Sequence, residues 1–249
     1  MFASASQDHQ THNYQKHSQE YSKIGIEGTY LLAFNAVAKL ITHSAEYRQL
    51  WGKPALDFGC GTGRSTRFLR SLGFETLGID VNPHMLAEAG QLDPSGQYQL
   101  IEGDDLPFPS QRFDLIFQSF VLLEYATMAQ MITLMQELYR VLKPHGKVII
   151  VTATEAFYTQ DWYSFGNRIP ENQALQSGDM ARVAIQGTDI VLYDYYWSDR
   201  DYRAVFEQAG FEVAPPLRPL AQGHEPYVWV NELEHPCWAI YSLSKSEGF

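Results

Sequence analysis

The chain of 249 residues carries 29 acidic and 18 basic side chains, so its formal net charge is −11 at pH 7, and 45% of its residues are apolar. This length and apolar content suit one α/β domain with a full core. Nucleic-acid partners are held by clusters of lysine and arginine, so this acidic chain argues against them and favours a neutral or cationic small molecule.

The first twenty residues are polar and rich in Ser, Gln and His, and we expect a flexible arm at 1–20 followed by one domain at 21–249. The chain has neither the apolar core of a signal peptide nor an apolar run of about eighteen residues, so we expect a cytoplasmic protein that does not bind membranes. The composition leaves the oligomeric state open.

Two cysteines, Cys60 and Cys237, are too few to predict a structural disulfide. His9, His12 and His17 lack ligand spacing with acidic or cysteine partners, and the sequence contains no H-E-x-x-H, so no metal is expected.

Apolar residues recur at helical spacing between residues 30 and 50, as at Phe34, Val37 and Ile41. This period predicts an amphipathic helix that lies over a sheet.

A short apolar strand with a glycine-rich turn comes next. Asp57 lies near the end of this strand, and Gly59, Gly61 and Gly63 follow in alternate positions. Glycine tolerates positive φ and has no Cβ, so a ligand can lie directly on this backbone and against the free N–H groups of the following helix. The third glycine comes one residue earlier than in the dinucleotide pattern G-x-G-x-x-G, and Asp57 would repel a pyrophosphate but suit a cation.

The next strand, Glu-Thr-Leu-Gly-Ile-Asp, ends in Asp80. This is the spacing of a carboxylate that binds ribose hydroxyls. Asn82 and Pro83 then predict a helix start, with asparagine as N-cap and proline in the first helical position. A nucleoside cofactor with a positive group is the resulting hypothesis.

Strands and helices alternate through the middle of the chain, with strands predicted at 55–58, 75–79, 97–102, 113–118 and 147–153. Such alternation predicts a parallel sheet with right-handed crossovers. The ligand is then expected beyond the carboxyl ends of the strands, at the point where the strand order reverses.

The C-terminal part predicts a helix at 199–209 and strands at 211–213 and 238–243. Two long stretches, at about 154–198 and 215–236, lie outside these elements and are rich in aromatic residues. Loops of this length serve as lids or binding loops, so we expect both to cover a substrate. The aromatic rings could form a cage for a cationic amine or simply pack the lid onto the domain.

The glycine turn closely resembles motif I of the Rossmann-like (class I) S-adenosylmethionine-dependent methyltransferases of the small-molecule type. Matching elements follow in order: the strand that ends in Asp80, Glu102-Gly-Asp-Asp, Phe113-Asp-Leu-Ile-Phe-Gln-Ser, and the run from Leu138 through Lys-Pro-His-Gly to the fifth strand. His145 stands where the family usually has glycine, on an expected surface turn.

This resemblance implies an α/β fold with a doubly wound sheet, mostly parallel, with an antiparallel C-terminal strand and helices on both faces. It also implies S-adenosyl-L-methionine as cofactor and methyl transfer to a nitrogen or oxygen of a small-molecule acceptor. Asp104 would meet the adenine amino group, and Arg64 the cofactor carboxylate or a neighbouring acid. The cofactor-binding candidates are Asp57, Gly59, Gly61, Gly63, Arg64, Asp80, Val81, Asp104, Asp105, Gln118 and Tyr21.

Catalytic candidates are fewer, because methyl transfer mainly needs orientation of the reactants. A base is required only if the acceptor holds its proton at pH 7. The candidates are His224 and Glu225 in the second of the two long stretches, 215–236, which we call the late stretch, and Glu124 and Tyr125 after the fourth strand. His224 could equally be a solvated turn residue, and Glu124 a helix cap.

Two alternatives stay open on the same fold. One is an aminopropyl-type transferase, which would need acids beside the acceptor, although Gln118 and Ser119 stand in the fourth strand. The other is a non-catalytic, methyltransferase-like binding protein. A late segment that begins Asp194-Tyr-Tyr-Trp-Ser-Asp resembles a group of bacterial methyltransferases, but no acceptor follows from it.

Overall fold

The computed structural model describes Glu20 and residues 22–246. Its strands are β1 (Pro54–Phe58), β2 (Glu75–Asp80), β3 (Gln97–Leu100), β4 (Phe113–Ser119), β5 (Leu142–Ala153), β6 (Asp161–Trp162), β7 (Phe165–Gly166), β8 (Met180–Ile185), β9 (Val191–Tyr195), β10 (Phe211–Val213) and β11 (Trp238–Lys245). The predicted Tyr21 contact and most of the predicted N-terminal arm lie outside the described residues.

Helices separate the first five strands as predicted, except that the described chain runs from β3 to β4 without a helix. They are α1 (Thr29–His43), α2 (Ala45–Arg48), α3 (Arg64–Ser71), α4 (Pro83–Leu92), α5 (Met128–Val141) and α6 (Asp199–Gln208), with short 3-10 helices at Leu122–Glu124, Glu155–Tyr158 and Pro170–Ala174. Asn82 caps α4 as predicted, because its side chain accepts hydrogen bonds from the backbone N–H groups of His84 and Met85.

Seven strands form the central sheet, in the order β10-β11-β5-β4-β1-β2-β3. β11 runs antiparallel to both of its neighbours, and the other strand pairs are parallel. The chain proceeds outward from β1 through β2 to β3, and then returns to β4 on the other side of β1. The strand order therefore reverses between β1 and β4, and the predicted fold class is confirmed.

Both faces of this sheet are covered by helices. Leu115 and Phe117 of β4 belong to the apolar cluster that includes Phe34 and Val37 of α1. Ile116, which alternates with them, belongs to the cluster that includes Leu134 of α5. The strand is buried on both faces, which explains its continuous apolar sequence.

The stretch between β5 and α6 forms a second sheet that the sequence did not predict. Strands β6 to β9 pair antiparallel in consecutive order. Two of them are only two residues long, which is too short for an alternating pattern to reveal them.

Two element boundaries differ from those predicted by more than two residues. The helix expected from 30 to 50 ends at His43, because Ser44 adopts an extended backbone conformation before the short α2. β5 begins at Leu142 rather than 147, because an irregularity near Phe113 shifts its register against β4.

Three segments that cover one face of the molecule meet at Thr29 and Glu232. The Glu232 carboxylate is fully buried and accepts hydrogen bonds from the Thr29 hydroxyl and the Tyr163 backbone N–H, both at 2.7 Å. The Thr29 N–H donates to Ser164 Oγ, and Trp238 Nε1 donates to the Thr29 carbonyl. These hydrogen bonds therefore connect the start of α1, the second sheet and the late stretch, which we call the covering segments.

None of the helices within the described ranges has both the length and the apolar character needed to cross a membrane. The two cysteines are buried free thiols.

Candidate functional site

The glycine turn after β1 holds three left-handed glycines, with φ of 69° at Gly59, 53° at Gly61 and 77° at Gly63. A Cβ on Gly59 would lie 2.3 Å from Val121 Cγ2, and one on Gly63 would lie 2.5 Å from the Tyr98 hydroxyl. A Cβ on Gly61 would meet no described atom within 4 Å. Gly59 and Gly63 thus allow close packing within the protein, whereas Gly61 leaves its backbone accessible to a ligand.

Asp80, at the end of β2, holds this turn in place. Its Oδ2 accepts a hydrogen bond from the Gly61 N–H at 2.8 Å, and its Oδ1 accepts one from the Asn82 N–H at 2.8 Å. Burial raises the pKa of this carboxyl group, and the backbone donors oppose that rise. Each carboxylate oxygen retains acceptor capacity for a ligand hydroxyl.

Asp57 lies fully buried beneath the turn. Its Oδ2 accepts hydrogen bonds from Ser65 Oγ at 2.7 Å and Thr66 Oγ1 at 2.6 Å, whereas Oδ1 has no partner among the described residues. Burial raises the pKa of Asp57 to about 6, and the negative charge of Asp80 adds to the rise. A ligand that brings a donor or a positive charge would satisfy this carboxylate.

Arg64, the first residue of α3, lies in an aromatic setting. Its guanidinium carbon lies 4.3 Å from the centroid of the Tyr30 ring and 5.4 Å from that of Phe34. Nη1 donates a hydrogen bond to the Gly25 carbonyl at 3.3 Å. Burial lowers the pKa of this guanidinium, and the Tyr30 hydroxyl opposes that shift. Arg64 therefore joins the start of α1 to the glycine turn.

Two further candidates come together beyond β3 and β4. The Tyr125 hydroxyl donates a hydrogen bond to Asp104 Oδ1 at 2.6 Å. Burial raises the pKa of both groups. Val81 is 57% exposed beside Asp80, and Asp105 is exposed as well. This edge therefore offers an apolar surface next to a carboxylate.

Comparison with known proteins supports one interpretation of this geometry. Residues 56–150 match the family model described as a methyltransferase domain. A demethylmenaquinone methyltransferase from Tropheryma whipplei is 31% identical over 65% of this chain and 67% of that protein. The chain belongs to the S-adenosylmethionine-dependent methyltransferases.

Other relatives are named for different methyl acceptors. A malonyl-[acyl-carrier protein] O-methyltransferase from Enterobacter lignolyticus is 29% identical over 60% of this chain and 63% of that protein. The matched part of the chain spans between about half and two thirds of the first curated relatives. A solved methyltransferase structure from Clostridium acetobutylicum has 14% identity and a TM-score of 0.62, and covers 94% of this chain and 99% of its own. That likeness concerns the fold.

S-adenosylmethionine is the cofactor of this methyltransferase, as the sequence predicted. The residues fit it on two observations. Among the described residues, no atom lies where a side chain on Gly61 would be, and the buried Oδ1 of Asp57 has no partner. The cofactor carries a sulfonium and an ammonium group, which such a carboxylate favours.

The structure places His224 and Glu225 elsewhere on the methyltransferase. Both line a groove of about 320 Å³ between the outer side of α1 and the late stretch, and no residue of the glycine turn is among the described residues that line it. Burial opposes ionisation of Glu225, but backbone donors, above all Gln222, and the Trp229 indole lower its pKa to about 2. Glu225 thus stabilises a turn.

Sequence reasoning gave no role to two buried groups near the carboxyl end of β4. Asp194 of β9 is buried, and so is the Tyr158 side chain. Gln118, a predicted cofactor contact, is fully buried, and neither polar atom of its amide has a partner among the described residues. The available signal for Asp194 was a single acid in an otherwise apolar and aromatic run, Val-Leu-Tyr-Asp-Tyr-Tyr-Trp.

Proposed function

We propose that this protein transfers the methyl group of S-adenosylmethionine to a nitrogen or oxygen of a small-molecule acceptor. The observation that carries the proposal is the open backbone at Gly61 between two carboxyl groups, the fully buried Asp57 and the half-buried Asp80. When bound, the cofactor supplies a methyl group already activated by the positive sulfur.

The roles of the cofactor-binding residues follow from the placement of their polar atoms. Asp80 accepts hydrogen bonds from the ribose hydroxyls, and the unpartnered Asp57 oxygen faces the positive aminoacyl end. Asp104 and the exposed Val81 flank the adenine. Arg64, which is held by Tyr30, orders the segment that closes over the turn.

The remaining work of this protein is to orient the acceptor and to exclude water. Positioning of two reactants contributes up to roughly 7 to 11 kcal/mol. The covering segments that meet at Thr29 and Glu232 suit this task, because they lie outside the central sheet and are held by hydrogen bonds to a buried carboxylate.

The acceptor is a small molecule in this proposal. The names of the relatives refer to demethylmenaquinone and to malonyl-[acyl-carrier protein], so one cofactor domain serves different acceptors. Specificity is therefore assigned to the second sheet and the late stretch.

The experiment is an incubation with S-adenosylmethionine labelled on the methyl group, together with a bacterial metabolite extract. We expect S-adenosylhomocysteine and a labelled small molecule in equal amounts. Binding of the cofactor without turnover would favour the non-catalytic alternative, and release of methylthioadenosine from the decarboxylated cofactor would favour the aminopropyl alternative.

A further inference from the structure

Asp194 is a buried carboxyl group, and within the described part of the chain its main electrostatic partners include no basic residue. Arg64, whose guanidinium lies over the ring of the neighbouring Tyr30, is not among them. It pairs with Ala181 across strands β9 and β8, and the basic residue of β8, Arg182, lies exposed on the opposite face. The titratable groups that interact electrostatically with Asp194 come from the elements packed around it. They are Glu124 after β4, Tyr158 after β5, Tyr202 of α6 and Tyr30 of α1.

Two buried polar side chains accompany Asp194. The Tyr158 hydroxyl lies close enough to the Asp194 carboxyl group to lower its pKa by hydrogen bonding. Gln118 shares a sheet face with Thr152, whose hydroxyl donates to the Tyr202 hydroxyl at 3.0 Å. Neither polar atom of the Gln118 amide has a partner among the described residues. A buried amide without a partner is costly, so Gln118 points to a ligand.

Asp194, Tyr158 and Gln118, which we call the polar group, are connected to the glycine turn through the segment that follows β4. Val121, which follows β4, packs so closely on Gly59 that a Cβ there would clash with it. The Trp197 indole, just beyond β9, donates a hydrogen bond to the Tyr125 carbonyl at 3.0 Å. The segment between Val121 and Tyr125 therefore joins the cofactor side of the sheet to the end of β9.

We propose that the methyl acceptor is a basic amine and that the Asp194 carboxylate binds its ammonium form and takes its proton. This inference rests on the proposed function and specifies its acceptor. The ammonium group gives one proton to Asp194, and the freed nitrogen lone pair forms a C–N bond to the methyl group as the S–CH3 bond breaks. S-adenosylhomocysteine leaves with the sulfur electron pair, and Asp194 later returns its proton to solvent.

The electrostatics favour a cation at this position. Burial and the charge of Glu124 together raise the pKa of Asp194 to about 7. An ammonium group would offset both effects, because an opposite charge stabilises the ionised carboxylate. The Tyr158 side chain lines a recess of about 310 Å³ together with Tyr196, so this residue borders a space open to solvent.

The first test measures binding without turnover. Protein saturated with S-adenosylhomocysteine is titrated with primary arylalkylamines, from benzylamine to phenylpropylamine, and with the corresponding alcohols. We expect the wild type and the control Asp189→Asn, an exposed acid in the β8–β9 turn, to bind an amine at least tenfold more tightly than its alcohol. Asp194→Asn should lose this preference. Equal binding of amine and alcohol, or an unchanged preference in Asp194→Asn, overturns the proposal.

The second test follows the methyl group. Labelled S-adenosylmethionine is incubated with the same amines and alcohols, with matching carboxylic acids and with a metabolite extract. Labelled N-methyl products that fall at least a hundredfold in Asp194→Asn, with unchanged S-adenosylmethionine affinity, support the proposal. Tyr158→Phe, which removes only a hydroxyl, should shift the pH profile of turnover without loss of folding.

The two levels of inference fail differently. Labelled products that carry the methyl group only on oxygen refute the amine acceptor and leave the proposed methyl transfer intact. No S-adenosylhomocysteine from any mixture refutes the proposed function itself.

Discussion

Asp80 acts on both the protein and the proposed ligand. Its carboxylate accepts hydrogen bonds from the backbone N–H groups of Gly61 and Asn82, so it fixes the turn that the cofactor would contact. The same two oxygens carry the proposed ribose contacts. A single residue therefore couples the shape of the turn to recognition of the cofactor.

Replacement of Asp80 by Ala should weaken S-adenosylmethionine binding by about 1 to 3 kcal/mol, because charge-assisted hydrogen bonds are lost. Calorimetric titration measures this change, and Glu75→Gln, at the exposed beginning of the same strand, is the control. Unchanged affinity in Asp80→Ala would refute the ribose role.

At the scale of elements, the three glycines of the turn have two different roles, since two of them pack against protein atoms and one faces the ligand site. Gly59 and Gly63 have protein atoms where a side chain would lie, and Gly61 has none from residues 22–246. The conformational requirement for glycine is similar at all three positions, so the difference between them lies in their neighbours.

Gly61→Ala tests this distinction. Left-handed backbone should cost the folded protein about 1 to 2 kcal/mol, as it should in the control Gly52→Ala, which has φ of 69° and no described atom within 4 Å of the added Cβ. The added methyl group should also weaken cofactor binding by about 1 to 3 kcal/mol through steric crowding. Similar cofactor affinity in both variants would show that no ligand lies on Gly61.

The hydrogen bonds of Glu232 hold the covering segments together. Glu232→Ala would leave the buried donors of Thr29 and Tyr163 without an acceptor, and we expect unfolding free energy to fall by roughly 2 to 4 kcal/mol. Denaturant unfolding measures the loss, with the exposed Glu234→Ala as control. Hydrogen exchange should increase at the start of α1 and in the second sheet; an unchanged exchange pattern contradicts the fastening role.

The sequence predicted some elements well because the signals were local. The Asn82-Pro83 helix start and the glycine turn depend on backbone rules that act over a few residues. Strands β6 and β7 were missed because each has two residues, and Asp194 received no role because its burial depends on distant elements such as α1 and α6. His224 as a base stays a prediction, and the outer groove in which it lies makes Asp194 the better placed candidate.

At the scale of the whole molecule, two buried carboxyl groups set an unusual dependence of stability on pH. An aspartate in an unfolded chain has a pKa of 3.8, and burial raises the pKa to about 6 for Asp57 and to about 7 for Asp194 in the folded protein. At pH values between the unfolded and the folded pKa, the folded protein retains protons that the unfolded chain has released. These groups therefore lower stability as pH rises from about 4 to about 7.

Asp194→Asn should remove part of this dependence. Relative to the wild type, the variant should gain stability on the order of 2 kcal/mol between about pH 5 and about pH 8, since each pKa unit corresponds to about 1.4 kcal/mol. Urea unfolding of the ligand-free protein at the two pH values measures the difference, with Asp189→Asn as the control. A stability difference that does not vary with pH would contradict the burial of an ionisable Asp194.

The fold and the family were accessible from sequence because five motifs occur in a fixed order along 56–150. The acceptor was not, since the residues around Asp194 come from four separate segments and meet only in the folded chain. The residues proposed to bind the cofactor thus lie in short sequence motifs. Those proposed to bind the acceptor are brought together only by tertiary packing.

The most direct test is a crystal structure of the protein with S-adenosylhomocysteine. The ribose hydroxyls should lie within hydrogen-bonding distance of Asp80, the aminoacyl end should lie over Gly61 beside Asp57, and Gln118 should border the space beyond the sulfur. A ligand bound in the groove between α1 and the late stretch, with the glycine turn left uncontacted, would contradict the assignment.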